Sequence, residues 1–364
     1  MASGKCTLPD MSIAVIAITK GGARTGRSLC ESSPGLQLYV SGRYADLAGE
    51  RCTAFEPQEL KGLIASLWKK HDGFVLIMAT GIVVRMIAPL LESKETDPAV
   101  VVMDDAGRFA IALLSGHLGG ANELAERCAC AVGAVAVITT ATDANNLPSF
   151  DMLAKEQGWL IDDISRVRIL NTLLLDNEEI AVVDRTGQTR TWLGGRGRIT
   201  FYDTFAEAAK STAHGFLFVT NQQLSPEAAP EKLLILRPRN LVLGIGCNRG
   251  TAADEIEAVV TRHFNALRLS LKSVCTVASI AAKRDEAGLI EFADRLNVPL
   301  RCFESGDLST VAFPSPPSEH ALAAVGVPAV AEPAAILASG EGALLLNKVK
   351  SGNVTLAIAQ LKEV

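Results

Sequence analysis

The feature that most constrains the fold is an alternation of short, almost wholly apolar runs with segments of helical period. In the first 140 residues, apolar runs occupy 13–18, 74–78, 99–103, 109–113 and 135–139. The runs 99–103 and 109–113 flank a turn rich in Asp and Gly, which predicts a hairpin. Between the first two runs, apolar side chains recur at three- and four-residue spacing over 60–68, which is the period of one helix face. Apolar strands separated by helices are typical of a parallel sheet covered by helices on both faces. The sequence therefore predicts an α/β fold.

The length of 364 residues predicts more than one such domain. The pattern becomes looser from 143 to 221, and the stretch 226–238 contains three prolines, which is typical of a linker. A fresh apolar strand begins at 241. We expect a multi-domain protein of three-layer α/β sheets with mostly parallel strands. The predicted divisions are an N-terminal domain over 1–142, a central region with its linker over 143–237, and a C-terminal domain over 238–364.

Charge and composition exclude several classes of function. The chain has 35 Lys and Arg against 40 Asp and Glu, a net charge of −5, and only 5% aromatic residues. This balance argues against a nucleic-acid partner. No run approaches the roughly 20 apolar residues that cross a bilayer, and the eight cysteines show neither a Cys-x-x-Cys pair nor metal-ligand spacing. We therefore expect a cytoplasmic protein with reduced thiols, no membrane partner and no metal site of its own.

Three segments share one design, in which a strand leads into a polar, glycine-containing loop and then a helix. They are 79–81, 115–120 and 244–251. Glycine lets backbone N–H groups approach a ligand, and the start of the following helix favours an anion. Ligands of open α/β sheets bind at the carboxyl ends of strands. The sequence predicts that these loops contact an anionic ligand. The alternative for any one of them is that its glycine serves turn geometry alone.

The loop 244–251 departs from both nucleotide-binding patterns. The dinucleotide fingerprint requires a third glycine where Arg249 stands, and no lysine precedes Thr251 as a P-loop would require. An α/β nucleotide-binding enzyme is therefore disfavoured. An arginine in this position suits a carboxylate, and a plain turn with an exposed arginine is the alternative.

Four side chains in the first 143 residues are candidates for catalysis or ligand binding. His117 lies between glycines, so we expect an acid–base role with an ordinary pKa of about 6.5 and a neutral ring at cytoplasmic pH; a structural hydrogen bond is the alternative. Asp104 and Asp143 are further candidates, although a solvated turn is the default for each. Arg85 lies inside an apolar run, so we expect it to be buried and to face a ligand anion or to pair with Asp104 or Asp105.

Long stretches of the sequence resemble a known family. GIVVRMIAPLLESKETDPAVVVMDDAGRFAIALLSGHLGGANELA (81–125) and ITTATD (138–143) resemble the N-terminal domain of the CbiG family of anaerobic cobalamin biosynthesis. LVLGIGCNRGTAADEIEAVV (241–260), SIAAKRDEAGLIEFA (279–293) and VPAVAEPAAI (327–336) resemble the C-terminal domain that this family shares with CobE. The looser middle of the chain corresponds to the variable central region of the family.

The resemblance implies a hydrolase acting on a cobalt corrinoid. In this family, water opens the ring A δ-lactone of cobalt-precorrin-5A, and acetaldehyde then leaves to give cobalt-precorrin-5B. Cobalt would arrive with the substrate, so no separate cofactor is expected, and other cobalamin-pathway enzymes are further expected partners. Lactone opening needs a base, for which His117, Asp104 and Asp143 are the candidates. A non-catalytic carrier or scaffold for corrinoid intermediates is the alternative, because the same loops would serve it.

The implied substrate carries many carboxylates, so its site needs Arg, Lys and backbone N–H groups. The residues expected to contact it are Thr80, Gly81, Arg85, Arg108, Ser115, Gly116, Gly119, Gly120, Asn122, Gly244, Gly246, Arg249, Gly250, Thr251 and Lys283.

Overall fold

The computed structural model describes residues 11–33, 35–93, 96–224 and 230–362. The chain divides into two compact units, Met1–Met152 and Leu153–Val364. The strands are β1 (Ile13–Ala17), β2 (Leu36–Ser41), β3 (Cys52–Phe55), β4 (Gly73–Ile77), β5 (Ala99–Met103), β6 (Phe109–Leu114), β7 (Val135–Val137), β8 (Leu160–Ile161), β9 (Ile180–Asp184), β10 (Ile199–Phe201), β11 (Gly215–Val219), β12 (Leu233–Arg237), β13 (Leu241–Cys247), β14 (Val274–Ile280), β15 (Leu300–Phe303), β16 (Leu344–Ser351) and β17 (Val354–Gln360).

The α-helices follow the same chain order. They are α1 (Lys20–Ser32), α2 (Ala45–Ala48), α3 (Leu60–Leu67), α4 (Thr80–Ile87), α5 (Ala121–Val132), α6 (Ala141–Ala144), α7 (Phe150–Gln157), α8 (Ile164–Leu175), α9 (Gln188–Leu193), α10 (Phe205–Ala209), α11 (Ala253–Ala266), α12 (Ala287–Arg295), α13 (Ser305–Thr310), α14 (Glu319–Val325) and α15 (Ala331–Ala338). In the part of the chain that the structure describes, no helix is both long enough and apolar enough to cross a bilayer.

The first unit contains a seven-stranded sheet in the order β3-β2-β1-β4-β5-β6-β7. Neighbouring strands of this sheet are parallel, except that β5 and β6 are antiparallel and form the predicted hairpin. Because β6 and β7 run opposite to β1, β4 and β5, their carboxyl ends lie at the other edge of the sheet. The two edges are separated by about 17 Å, since β5 has five residues and a strand rises about 3.3 Å per residue.

The central strand β1 shows why the sheet has three layers. All its residues are buried, and successive side chains point to opposite faces. Ile13 and Val15 pack in the cluster that contains residues of α1 and α5, whereas Ala14 and Ile16 pack with residues of α3 and α4. A strand apolar on both faces thus requires helices on both sides, which confirms the predicted α/β architecture.

The middle sheet corrects one expectation. Its order is β10-β9-β11-β12-β8, parallel except for the β12–β8 pair. Strand β12 lies inside 226–238, so the prediction of a linker over this whole stretch was wrong. Leu233, Leu234 and Leu236 are buried. Pro230 and Pro238 flank the strand rather than interrupt it, which is a position that strands tolerate.

The C-terminal sheet has the order β15-β14-β13-β17-β16. Strands β13, β14 and β15 are parallel, and β17 runs antiparallel to both β13 and β16. Gly244 and Gly246 lie within β13, so their expected position in a loop was wrong. A Cβ on Gly244 would lie 1.9 Å from the carbonyl oxygen of Ala331. Glycine at 244 therefore permits α15 to pack directly on the sheet.

Candidate active site

The loops after β6 and β7 meet at one edge of the first sheet and bring His117 and Asp143 together. Nε2 of His117 lies 2.9 Å from Oδ2 of Asp143. The hairpin reversal explains this, because β6 and β7 are parallel neighbours whose carboxyl ends coincide. The structure thus joins two of the three residues predicted for catalysis.

The loop 115–120 has a shape that only small residues permit. Ser115 has φ +57°, and a Cβ on Gly119 would lie 2.4 Å from the Cβ of Ser115. A Cβ on Gly116 would lie 2.6 Å from Oδ1 of Asn122. The N–H groups of Ala121 and Asn122 donate to carbonyl oxygens of the loop, both at 3.0 Å. The glycines therefore let the loop close on itself, and these two N–H groups are not free for an anion.

Asp143 is the exposed member of the site. Its Oδ2 accepts hydrogen bonds from His117, from Nδ2 of Asn122 at 2.9 Å and from the hydroxyl of Thr140. Nδ2 of Asn122 also donates to the Thr140 hydroxyl at 2.8 Å. The Asp143 side chain nevertheless remains 46% exposed, so one carboxylate is both fixed by donors and accessible to a substrate.

A second carboxylate, Asp151 at the start of α7, approaches the other side of the imidazole. Its Oδ2 lies 3.3 Å from Nδ1 of His117. The hydroxyl of Ser149 donates to Oδ1 of Asp151 and lies 3.2 Å from the same Nδ1. Asp151 is buried, so it orients the ring from behind. We call His117, Asp143, Asp151, Ser149, Asn122 and Thr140 the His117 cluster.

The two carboxylates determine the protonation of the ring. The hydrogen bond to Asp151 raises the pKa of His117 most, and the charge and hydrogen bond of Asp143 raise it further, against the opposing effect of burial. With carboxylates at both nitrogens, the protonated ring donates on both sides. The pKa of His117 is therefore raised above the ordinary value expected from the sequence, and the neutral ring stays a prediction. The cluster can hold and pass a proton between imidazole and carboxylate.

Asp104 lies at the opposite edge of the sheet and does not join the His117 cluster. Its Oδ1 accepts from the N–H groups of Arg108 at 2.7 Å and Phe109 at 2.8 Å, and its Oδ2 accepts from Nε of Arg108 at 3.2 Å. Burial opposes ionisation, but these hydrogen bonds outweigh it and lower the pKa of Asp104. Asp104 thus stabilises the hairpin turn, and a catalytic role for it stays a prediction.

Thr80, Gly81 and Arg85 also lie toward this opposite edge, in α4, which follows β4. Arg85 is exposed, so its expected burial was wrong. Its Nη1 donates to the carbonyl of Gly81 at 2.9 Å, and within the described ranges it forms no ion pair with Asp104 or Asp105. Successive side chains of a helix point in different directions, so one face of α4 is exposed to solvent even though most of its residues are apolar. Substrate contact by these residues stays a prediction.

The remaining predicted residues lie in the second unit, around the loop between β13 and α11. The side chain of Lys283 donates to Oε2 of Glu286 at 2.9 Å, and the N–H of Gly250 donates to Oε1 at 2.6 Å. Burial opposes the ionisation of Glu286, but these two hydrogen bonds lower its pKa. Thr251 is buried, and its hydroxyl donates to the Asn248 carbonyl at 2.8 Å. This loop therefore uses part of its donor capacity internally.

Arg249 is the cation of this loop that remains accessible. Its Nη1 lies 3.5 Å from Oδ2 of Asp285, and both side chains are largely exposed, at 69% and 75%. An exposed pair of this length contributes little to stability. Arg249, Lys283 and Gly246 line a cavity of about 690 Å³ in the second unit, which we call the C-terminal cavity.

Sequence reasoning missed Asp151, Ser149 and Thr140. Asp151 and Ser149 lie beyond the predicted domain boundary at 142, and an aspartate in the first turn of a helix is ordinarily explained by the helix dipole. No local sequence signal marks Asp151, because its burial beside Phe150 is known only from the structure.

Three sequence models of one family match successive parts of the chain. The model described as "Cobalamin synthesis G N-terminal" matches residues 62–143. "Cobalamin biosynthesis central region" matches 148–238, and "Cobalamin synthesis G C-terminus" matches 241–359. His117 and Asp143 lie in the first of these ranges, and Arg249 and Lys283 in the last.

The sequence is also similar to individual proteins of cobalamin biosynthesis. The chain is 37% identical over 353 residues to the cobalt-precorrin-5A hydrolase of Priestia megaterium, covering 95% of this chain and 94% of that one. It is 30% identical over 367 residues to the cobalt-precorrin-5A hydrolase of Salmonella typhimurium, covering 97% and 98%. Protein CobE of Sinorhizobium sp is 33% identical over 121 residues, covering 33% of this chain and 79% of that one. This chain therefore belongs to the cobalamin synthesis G (CbiG) family.

Proposed function

We propose that this chain is a hydrolase that opens the ring A δ-lactone of cobalt-precorrin-5A and releases acetaldehyde to give cobalt-precorrin-5B. The observation that carries the proposal is an imidazole with a carboxylate at each nitrogen, one exposed and one buried. Such an array can take a proton from water and return it to a leaving oxygen. His117 and Asp143 lie in the segment that matches the N-terminal family model, and Asp151 lies in the segment that matches the central-region model. Relatives that match nearly the whole chain are named cobalt-precorrin-5A hydrolase.

The first chemical step would be the opening of the lactone. The exposed carboxylate of Asp143 accepts a proton from water as the oxygen attacks the lactone carbonyl. The proton is then passed through His117 to the ring oxygen that leaves as an alcohol. Buried Asp151 takes no proton in this scheme. It holds the Nδ1 side of the ring, as the buried aspartate of a catalytic triad does.

The second step would be a fragmentation of the retro-aldol type. The same carboxylate–imidazole pair takes the proton of the new alcohol, and the adjacent carbon–carbon bond breaks. The two-carbon unit leaves as acetaldehyde, and the electron pair passes into the conjugated macrocycle that carries the cobalt. We propose accordingly that the metal belongs to the substrate, that the protein needs no separate cofactor, and that it acts in the cytoplasm beside other cobalamin-pathway enzymes.

The experiment that tests the proposal is acetaldehyde release from cobalt-precorrin-5A by the full chain, followed through alcohol dehydrogenase and NADH. We expect release with the wild type and a loss of about 100- to 10,000-fold with Asp143→Asn. Asp203→Asn, an exposed aspartate in the second unit, is the control and should retain wild-type release. Binding of the substrate without any acetaldehyde would contradict the proposal and favour the corrinoid carrier.

A further inference from the structure

The C-terminal cavity is lined by cations from three separate segments of the chain. Arg249 follows β13, Lys283 follows β14, and Lys348 and Lys350 lie on β16. Of the described residues that line the cavity, none is an aspartate or a glutamate. Its volume of about 690 Å³ is within the range of about 300–1,000 Å³ typical of small-molecule sites. A concave surface with this charge selects an anionic ligand.

The two lysines of β16 were not found by sequence reasoning. Both lie on β16, and both line the cavity. Nζ of Lys348 donates to the carbonyl of Pro316 at 2.6 Å. In the described ranges neither ammonium forms an ion pair with a carboxylate, and Lys350 is exposed. Two uncompensated positive charges therefore face the cavity together.

The remainder of the lining is largely apolar. Ala321, Ala324 and Val325 come from α14, and Val330 and Ala331 come from the start of α15. Small aliphatic side chains present a smooth surface, against which a broad, flat ring can pack. The lining therefore combines an apolar wall with cations at several positions, which matches a macrocycle that carries carboxylates on its periphery.

A buried carboxylate fixes the lysine-bearing strand to this wall. Glu332 in α15 is fully buried. Its Oε1 accepts from the hydroxyl of Ser315 at 2.7 Å and from the backbone N–H of Lys348 at 2.9 Å. The lysine strand, the proline-containing loop and α15 are thus joined at one point, so the cavity is shaped before any ligand binds.

We infer that the C-terminal cavity is a docking site for a polycarboxylate tetrapyrrole macrocycle. Lys348, Lys350 and Arg249 would pair with its carboxylates, and the wall formed by α14 and α15 would pack against its ring. The choice of a tetrapyrrole among polycarboxylates rests on the proposed function. The charge and the apolar wall of the cavity do not depend on it.

The test is an absorbance titration of the full chain with dicyanocobyrinic acid, a corrin whose side chains end in free carboxylates. Its methyl ester has the same ring without these charges. We expect the acid to bind more tightly than the ester. The double variant Lys348→Gln/Lys350→Gln should weaken binding of the acid by about 10- to 100-fold and should leave binding of the ester unchanged.

Lys61→Gln, which removes an exposed lysine of α3, is the control and should bind the acid as the wild type does. Equal binding of the acid by the wild type and the double variant would overturn the inference, and the lysines would then serve only to protect the edge strand. Equal binding of acid and ester would overturn it as well. Cobyrinic acid has no lactone, so its binding tests the docking site alone. A wild type that binds cobyrinic acid but releases no acetaldehyde from cobalt-precorrin-5A contradicts the proposed function and leaves the docking site standing.

Discussion

In the first unit the imidazole of His117 lies between two carboxylates, whereas Lys348 and Lys350 of the C-terminal cavity form no ion pair with a carboxylate among the described residues. The two regions therefore differ in how charge is compensated. A proton-transfer group needs nearby opposite charge, because that charge sets its pKa. A group that binds a ligand anion works best when its charge is left unpaired. The difference suggests a division between chemistry at the His117 cluster and recognition at the C-terminal cavity.

The largest effect that would test this division is expected from His117→Asn. Asparagine keeps a hydrogen-bonding side chain but cannot exchange a proton near neutral pH. The turnover number for acetaldehyde release should fall by about 100- to 10,000-fold, while the affinity for the substrate should change little. Steady-state kinetics and a separate binding titration measure the two quantities.

His263→Asn is the matched control, because His263 lies in α11 of the second unit, outside both regions. It should leave turnover unchanged. If His117→Asn kept more than about a tenth of wild-type turnover, proton transfer by this residue would be untenable. The assignment of the chemistry to the His117 cluster would then be wrong.

A smaller effect, on the Michaelis constant and not on the turnover number, is expected at the C-terminal cavity. Arg249→Ala removes a cation whose pair with Asp285 is long and exposed, so its charge is available to a substrate carboxylate. The Michaelis constant should rise by about 10- to 100-fold through loss of one charge-assisted contact. The turnover number should be nearly unchanged, since arginine stays protonated throughout.

Arg284→Ala provides a close control for this experiment. Nη2 of Arg284 lies 3.5 Å from Oε1 of Glu304, and its side chain is 68% exposed, so it matches the pair of Arg249 in length and exposure but does not line the cavity. It should leave both kinetic parameters close to the wild type. A collapsed turnover number with an unchanged Michaelis constant in Arg249→Ala would place chemistry, not binding, at this residue.

The same contrast separates what sequence could predict from what it could not. The α/β architecture follows from the apolar runs, and His117 and Asp143 were each predicted as candidates, but their pairing was not predicted. The separation of Asp104 from His117 depends on the hairpin reversal at β5 and β6, which moves one loop to the other edge of the sheet. The hairpin was predicted, but its consequence for the site requires the strand order, which apolar periodicity does not encode.

Three other features lay beyond the sequence for physical reasons. Asp151 reaches the imidazole only because α7 begins beside the loop after β6, a tertiary contact without a local signal. Lys348 and Lys350 are typical of an exposed strand until the neighbouring wall is known. Arg85 shows the reverse error, since an apolar run of eight helical residues still exposes one face. The division into domains at 142 and 237 stays a prediction.

The smallest expected effect is the pH dependence of stability, and it tests the tuning of the His117 cluster directly. The hydrogen bond to Asp151 and the charge of Asp143 raise the pKa of His117 in the folded chain above its ordinary value of 6.5. The protonated ring therefore stabilises the folded state fully below pH 6.5, and this contribution is lost as the pH rises through the raised pKa. The free energy of unfolding of the wild type should exceed that of His117→Gln most near pH 6, and the excess should shrink toward pH 8. Urea denaturation monitored at several pH values measures this difference, and NMR titration of the ring proton gives the pKa itself.

Asp151→Asn should lower that pKa by removing the main cause of its rise, whereas Asp203→Asn should not move it. A wild-type pKa at or below 6.5 would show that the carboxylates do not raise the pKa of the imidazole. The contrast between the His117 cluster and the unpaired lysines of the C-terminal cavity would then have no effect on proton affinity to support it.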